Sequence, residues 1–342
     1  MFLRRRSVHG RLMGDIRSAQ QKCVRRAFLE PLILLQLEHL LSTPDMSLAA
    51  LKRLVVIAAE DIGLGAPDLI PVLNERMEGW KGLSQFERAR RLIEVSYLAV
   101  ARPASRWIPH WAVTLVTSVP TDQSWREEEV MLNGIRASLR AGDWEQMGLD
   151  VEEGFLRTTL KGEVDLPQGI GFSIDFLSKV WDVMLQESSL ARIPRMKAWR
   201  HCFGTPSKIS ISSRLFLYLA VMDSCLRLPV ESLSRPVISD EEVASWLERA
   251  AHEVYDIPDW MMDKHTAQGR RANKGQQQFF EEGAVLARPS DVLGIEREEE
   301  MRLRAKDIYL ERERLYGREC RTKHIRKRWR EAVRTNELKK VI

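Results

Sequence analysis

The chain of 342 residues carries a net charge of +5, with 44% hydrophobic and 30% charged residues, which is typical of a globular protein. No apolar run reaches the roughly 18–20 residues of a membrane span, so we expect no membrane partner. Four cysteines (Cys23, Cys202, Cys225 and Cys320) are scattered without C-x-x-C spacing, which argues against structural zinc or disulfides and favours a reducing intracellular compartment.

Positive charge is concentrated at the two ends of the chain. Residues 1–26 hold eight Lys or Arg against one acid, and residues 318–342 hold ten against three. Each end is therefore +7, and the body between them is −9. Two basic ends on an acidic body predict a phosphate-bearing partner, with a targeting segment and a solvated helix as the alternative explanations.

The N-terminal residues 1–14 contain four arginines and no acid. An Arg-rich, acid-poor start is typical of an organellar transit peptide, and an unprocessed basic arm is the alternative. The predicted location is therefore mitochondrial, if this segment is a presequence, or nuclear.

Apolar residues at helical spacing predict an all-α fold. In the first domain, residues 15–141, the predicted helices are 16–26, 28–41, 47–62, 67–78, 84–101 and 127–141. Asp45 or Ser47 is the expected N-cap of the third helix. Ser84 and Glu87 have the spacing of a capping box.

The rest of the chain is predicted as a loop, a second helical unit and a terminal helix. Residues 113–119 fit either a short strand or a buried helix. Six glycines in 142–171 predict a loop or insertion. The second unit, residues 172–293, has predicted helices at 173–187, 193–202, 212–226 and 239–254. A long charged helix with a thin apolar stripe is predicted within 294–342.

The segment from Leu51 to Pro67 is the most informative motif. Its apolar residues form one helix face, and Glu60 and Asp61 lie where that helix runs into Gly63. Neighbouring helical residues point about 100° apart, so these carboxylates are not expected to converge on a substrate. Capping and inter-subunit pairing are the predicted roles, and Gly63 is expected to have a positive φ.

The run from Ile57 to Leu64 resembles the C-terminal collar domain of RarA/MgsA-type AAA+ ATPases, which are replication proteins related to sliding-clamp loaders. Residues 15–26 resemble the opening of that domain, and residues 257–270 and 279–285 resemble the tail of its divergent relatives. The resemblance implies a helical, clamp-loader-collar-like domain that forms a homo-oligomer or a hetero-complex with an AAA+ ATPase.

A phosphate-binding loop is missing from the sequence. The glycines of 269–275 are six apart, but Gln276 stands where the P-loop motif needs lysine. We therefore expect no bound cofactor, no catalytic residues and no ATPase activity from this chain.

The densest acid and imidazole group lies at 259–269, with Glu281 and Glu282 near it in sequence. Its D-x-x-x-D-x-H spacing is not a recognised metal motif, and Lys264 and the arginines after it would repel a cation. No metal is expected, and a structural role is predicted for Asp259, Asp263, His265, Thr266 and Gly269.

Two basic segments are candidates for contact with nucleic acid. The predicted binding residues are Arg270, Arg271, Lys274, Lys323, Arg326, Lys327, Arg328, Trp329 and Arg330. Among them, Trp329 is suited to stacking on a single-stranded base.

The predicted function is a non-catalytic scaffold of DNA replication or repair that binds DNA, more than RNA, or a replication partner through its basic ends. The first alternative is a structural component of an organellar ribonucleoprotein. A weaker alternative is a metal-dependent nucleic-acid enzyme built on the 259–265 segment.

Overall fold

The computed structural model describes residues 5–118, 126–160, 175–204 and 211–316. Within these ranges the chain forms α-helices joined by short 3-10 and π turns, with two isolated β-bridges and no strand. The predicted all-α fold is confirmed. No helix in the same ranges is long and apolar enough to cross a membrane.

The chain divides into two compact units. Unit 1 comprises residues 1–107 and 231–306, and unit 2 comprises residues 108–230 and 307–342. Unit 1 therefore contains both the collar-like motif (residues 51–67) and the 257–285 segment. The predicted domain boundaries had placed these two segments in separate domains.

The long helices run in chain order through both units. The first five are α1 (Met13–Arg26), α2 (Leu29–Ser42), α3 (Pro44–Ile57), α4 (Leu69–Met77) and α5 (Gln85–Ala101). They are followed by α6 (Trp107–Ser118), α7 (Glu128–Ala141), α8 (Trp144–Leu160), α9 (Phe176–Glu187), α10 (Ile193–Phe203) and α11 (Ile211–Leu226). The remaining helices are α12 (Asp240–His252), the short α13 (Ala267–Arg271) and α14 (Gln276–Gln278), and α15 (Ile295–Tyr316).

Helix α2 is the centre of unit 1. Every residue from Leu32 to Leu40 is buried, because α1, α3, α5 and α12 pack around it. Its sequence is correspondingly apolar on nearly all sides, as expected of a helix enclosed by other helices.

Two helix starts show how local chemistry sets the boundaries. The Ser84 hydroxyl accepts from the Glu87 N–H (3.2 Å), and the Glu87 carboxylate accepts from the Ser84 N–H (2.8 Å), so the predicted capping box is confirmed. The predicted cap of α3 is wrong. Thr43 caps this helix, since Pro44 provides a favourable first helical residue and starts the helix earlier than expected.

The glycines of 142–171 do not all mark a loop. Residues 144–160 form α8, so the loop prediction is wrong for this part, and residues 161–171 lie outside the described ranges. A Cβ at Gly148 would overlap the Trp111 ring, and one at Gly154 would overlap the Phe176 ring. These glycines allow close helix packing within unit 2.

Residues 113–118, for which the sequence fitted either a short strand or a buried helix, are helical.

Residues 5–12 fold onto α2. The Ser7 hydroxyl donates to Glu38, and Arg11 forms an ion pair with the same carboxylate at 3.2 Å. His9 Nε2 lies 2.9 Å from the Ala250 carbonyl oxygen. This part of the predicted basic arm is therefore packed into unit 1, while the location of the protein in the cell stays a prediction.

Candidate functional site

The collar-like motif ends in an unusual backbone turn. Helix α3 continues into a π turn at Ala58–Ile62, and Gly63 follows with φ +48° and ψ −118°. A residue with a side chain is strained at such a φ, so glycine is the residue that suits this position. The turn directs Asp61 into the interior of unit 1.

Asp61 is fully buried and surrounded by donors from distant parts of the sequence. Its carboxylate accepts from Arg25 Nε at 2.6 Å and from Gln21 Nε2 at 2.7 Å, and it forms an ion pair with Arg106 at 3.1 Å. Burial alone would raise the pKa of Asp61, but the charges of Arg25 and Arg106 outweigh it and hold the pKa below its usual value. Asp61 thus pairs within its own chain and has no exposed surface to offer to another subunit.

Glu60 and Asp61 meet at one amide group. Gln21 Nε2 donates to Glu60 Oε2 at 2.6 Å as well as to Asp61, and the side-chain oxygen Oε1 of Gln21 accepts from Arg53 at 2.8 Å. The two neighbouring carboxylates thus share one donor from α1 at a π turn, and the expectation that they do not converge on a substrate stays a prediction. Gln21 therefore links both carboxylates to α1, and a structural role for them stays a prediction.

A second buried pair links α1 to the 259–269 segment. Lys22 donates to Ser18 Oγ at 2.7 Å and forms an ion pair with Asp263. Burial lowers the pKa of Lys22 to about 8. Burial alone would raise the pKa of Asp263, but hydrogen bonding from His265 and the charge of Lys22 hold that pKa well below its usual range.

Asp263 also organises the turn that starts α13. Its Oδ1 accepts from the His265 N–H at 2.9 Å and lies 3.1 Å from His265 Nδ1. Thr266 Oγ1 donates to the Asp263 carbonyl at 2.9 Å and accepts from the Gly269 N–H at 2.8 Å, which caps α13. A Cβ at Gly269 would overlap the Asp263 carbonyl, so only glycine fits there.

The acidic residues of this region are engaged by basic or amide groups. Asp259 forms an ion pair with Lys274 at 2.6 Å, and Glu281 and Glu282 accept from glutamines four residues before them. In the described part of the chain, no group of three or more His, Cys, Asp or Glu could hold a metal ion.

The three predicted basic ligands of the 270–274 run lie in different environments. Arg270 and Arg271 are exposed on α13, and Arg270 Nη1 donates to the His265 carbonyl at 2.7 Å. Lys274 is buried, and its ammonium group binds Asp259, so it is not presented to a ligand. The predicted ligands from Lys323 to Arg330 lie outside the described residues.

Several members of the network were not predicted as site residues. Arg25 carried a weak signal, because it lies in the segment that resembles the opening of collar domains. Arg106 and Glu298 carried none. The Glu298 carboxylate accepts from the Arg106 N–H at 2.6 Å and from Ser105 Oγ at 3.0 Å, and burial raises its pKa.

Phe279 packs among the cations of the site. Its ring centroid lies 5.7 Å from the Arg25 guanidinium, 5.3 Å from that of Arg106 and 5.9 Å from the Lys264 ammonium. His265 meets the same ring edge-on at 5.6 Å. Cations are attracted to the face of an aromatic ring, so Phe279 helps to hold like charges near one another.

The arrangement consists of a buried core of paired charges and an exposed basic surface. The core joins α1, the π turn and the 259–269 segment. The surface, called the α13 surface here, comprises the exposed residues His265, Arg270 and Arg271 and the partly exposed Lys264. Lysine and arginine side chains such as these are able to bind anions.

Comparison of the chain with protein-family models, with curated proteins and with solved structures found no match in any of the three.

Proposed function

We propose that this protein is a non-catalytic helical scaffold that binds nucleic acid through the α13 surface and through the basic segment 318–342. One observation carries the proposal. Of the four segments that resemble a collar domain, segment 15–26 contacts each of the other three (57–64, 257–270 and 279–285) in unit 1. Their buried charged residues Lys22, Arg25, Asp61 and Asp263 pair with one another, whereas Arg270 is exposed to solvent.

Charge balance supports a phosphate-bearing partner. In the core, the cations Lys22, Arg25 and Arg106 lie against two carboxylates, those of Asp61 and Asp263. At the α13 surface, Arg270 and Arg271 interact electrostatically with Asp15, a carboxyl group whose pKa is raised by burial. Arg270 and Arg271 are both exposed, and exposed arginines suit phosphate.

The cellular process and the protein partners rest on the collar resemblance alone. It favours DNA replication or repair, a homo-oligomer or a hetero-complex with an AAA+ ATPase, and DNA as the nucleic acid. Light scattering on the purified protein should show an oligomer, or a complex when the ATPase partner is supplied. A monomer that captures no ATPase would contradict this part of the proposal.

The α13 surface is tested by charge reversal. Binding of fluorescein-labelled single-stranded DNA, duplex DNA and RNA is measured by anisotropy over a range of salt concentrations. Each phosphate contact contributes about −0.9 to the log–log salt slope on duplex DNA, so Arg270→Glu with Arg271→Glu should flatten it by about 2. Arg297→Glu with Arg304→Glu, an exposed pair on α15, is the matched control and should change the slope much less.

The basic tail is tested separately by ending the chain after Tyr316. If four to six of its charges touch phosphate, the tail should account for roughly −3 to −5 of the slope. Unchanged affinity at every salt concentration in both the truncated protein and the α13 double variant would overturn the nucleic-acid proposal. Preference for RNA over DNA would favour the ribonucleoprotein alternative.

The non-catalytic part is tested with nucleotide. Without a phosphate-binding loop, the purified chain should neither bind ATP at micromolar concentrations nor hydrolyse it. ATP hydrolysis that stays with the protein through repeated chromatography would contradict the proposal.

A further inference from the structure

Helix α15 has a buried side and an exposed apolar side. Glu298, Met301 and Ala305 are buried, so this side of the helix faces the rest of the protein. Ile295 is 54% exposed and Leu303 is 45% exposed. A single exposed apolar residue is ordinary on a protein surface, whereas several on one side of a helix suggest that another surface covers them.

The exposed apolar residues belong to one stripe along α15. Successive residues of an α-helix turn by about 100°, so residues seven or eight positions apart lie within about 80° of each other. Ile295, Leu303 and the partly exposed Leu310 follow this spacing. Glu299 and Lys306 lie between them on the same side of the helix. From the start of α15 towards its end, the stripe is therefore apolar, acidic, apolar, basic and apolar.

Both charged residues of the stripe have only weak partners in their own chain. Glu299 is 51% exposed and pairs at 2.5 Å with Arg302, three residues further along the same helix. The Lys306 ammonium lies 3.9 Å from the carboxylate of Glu281, which is 54% exposed. Ion pairs exposed to this extent contribute little to stability, because water screens them. Each of the two residues is therefore able to pair with a group of opposite charge on another molecule.

We propose that this stripe, residues 295–310, is the surface through which α15 pairs antiparallel with the α15 of a second copy of the chain. The inference rests on the homo-oligomer of the proposed function and assigns a surface to it. The order of residue types supports this occupant. Reversing the stripe about the point between residues 302 and 303 places Ile295 opposite Leu310. The same reversal places Glu299 opposite Lys306.

The stripe is therefore complementary to itself. A two-fold axis through its centre sets apolar residues against apolar residues and each Glu299 against the second copy's Lys306, as a closed, isologous dimer requires. A parallel arrangement in register would instead set Glu299 against Glu299, and charged residues beside such a seam determine helix orientation. The stripe is about 22 Å long, so the contact is small and the dimer should be weak.

Sedimentation velocity of the full chain tests the apolar part of the stripe. Over about 1–100 µM protein, the range suited to a small interface, the parent should show a monomer–dimer equilibrium. Leu303→Glu should raise the dimer Kd about tenfold or more, because it places a carboxylate in the centre of the interface. Arg304→Glu, the next residue and one that lies off the stripe, is the matched control and should change the Kd less than about twofold.

Exchange of the two charges tests the antiparallel pairing. Glu299→Lys and Lys306→Glu each set like charges opposite one another, so each variant alone should dimerise about tenfold more weakly than the parent. In an equimolar mixture of the two variants, every 299–306 contact again joins opposite charges. The mixture should therefore dimerise about as tightly as the parent. Thermal melts of all the variants establish that they are folded.

The outcomes separate this inference from the proposed function. A parent that stays monomeric at every concentration overturns the inference, and so does a mixture no tighter than its two components. If the parent dimerises and Leu303→Glu dimerises equally well, the inference is overturned, while the proposed homo-oligomer stands on another surface. Nucleic-acid binding is measured independently, and only the α13 and tail variants decide that part of the proposed function.

Discussion

Both units bury ion pairs, and one pair of unit 1 joins residues much further apart in the sequence than the Arg195–Asp223 pair of unit 2 does. In unit 1, Lys22 reaches Asp263 across 241 positions. In unit 2, Arg195 pairs with Asp223 at 2.6 Å across 28 positions. Their side chains are 0–6% exposed, so burial alone does not distinguish the two units.

The difference lies in what the pairs hold together. A buried ion pair contributes little net stability, because desolvation offsets the attraction, but removing one partner leaves a costly buried charge. In unit 2, removing one partner would weaken the packing of α10 against α11, two adjacent helices that also pack through apolar side chains. In unit 1, it would weaken the contact between α1 and the 259–269 segment, which is short and irregular.

The largest predicted effect is that of Asp61→Ala. It leaves Arg25 and Arg106 buried without their carboxylate, and we expect the free energy of unfolding in urea to fall by about 3–5 kcal/mol. Asp223→Ala in unit 2 is the matched change. If the buried pairs of unit 1 hold the 259–283 segment in place, only Asp61→Ala should speed cleavage by protease in that segment, as measured by mass spectrometry. Equal cleavage of the segment in both variants would contradict this difference between the two units.

Two glycines provide the next test. Gly269→Ala places a Cβ against the backbone carbonyl of Asp263, which cannot easily move, and should cost about 3 kcal/mol. Gly148→Ala in α8 meets the ring of Trp111, a side chain rather than backbone, and should cost less, about 1–2 kcal/mol. Gly82→Ala has open space and is the control. A thermal melt of Gly269→Ala that matches the Gly82→Ala melt would contradict the close packing at Asp263.

Acid should weaken unit 1 through its lowered carboxyl pKa values. The folded-state pKa values of Asp61 and Asp263 lie below their unfolded values, so their stabilisation is present above pH 4 and is lost as the pH falls below it. Asp263→Asn removes one of these groups. Its free energy of unfolding, measured in urea between pH 4 and pH 2.5, should change less steeply than the parent's, by up to about 1.4 kcal/mol per pH unit. Parallel curves would show that Asp263 is not linked to acid unfolding.

The smallest predicted effect concerns the capping box of α5. Ser84→Ala removes the hydroxyl that accepts from the Glu87 N–H and should cost about 1 kcal/mol in urea. Ser84→Asp should restore most of that loss, because aspartate is also a good N-cap. A loss as large as that of Asp61→Ala would mean that local capping matters as much as the long-range network.

The contrast between local and long-range contacts also explains what could be read from the sequence. The Ser84 cap was predictable, since both partners lie within four residues. Helix α8 was not, because Gly148 signals a loop in sequence but serves close packing against Trp111 in the fold. Glu60 and Asp61 were recognised as a motif. Their shared partner Gln21 lies on another helix, and no sequence pattern indicated the π turn in which they stand.

The candidate site was predictable only in part, for a similar reason. Arg270 stands in a basic run and is exposed. Lys274 stands in the same run, yet it is buried against Asp259. Arg106 follows a proline-containing connection with no periodicity, so nothing in the sequence indicated that it would meet Asp61.

The discontinuity of unit 1 has a consequence for how the protein is made. The ribosome completes residues 1–107 well before residues 231–306, which supply α12 and Asp263. At 5–20 residues per second, roughly 200 residues of synthesis separate the two parts by about 10–40 seconds. During that interval α2 lacks the helix that covers one of its sides, and Lys22 lacks its counter-ion. Nascent chains should therefore be most vulnerable to aggregation, and most dependent on chaperones, while unit 2 is being synthesised.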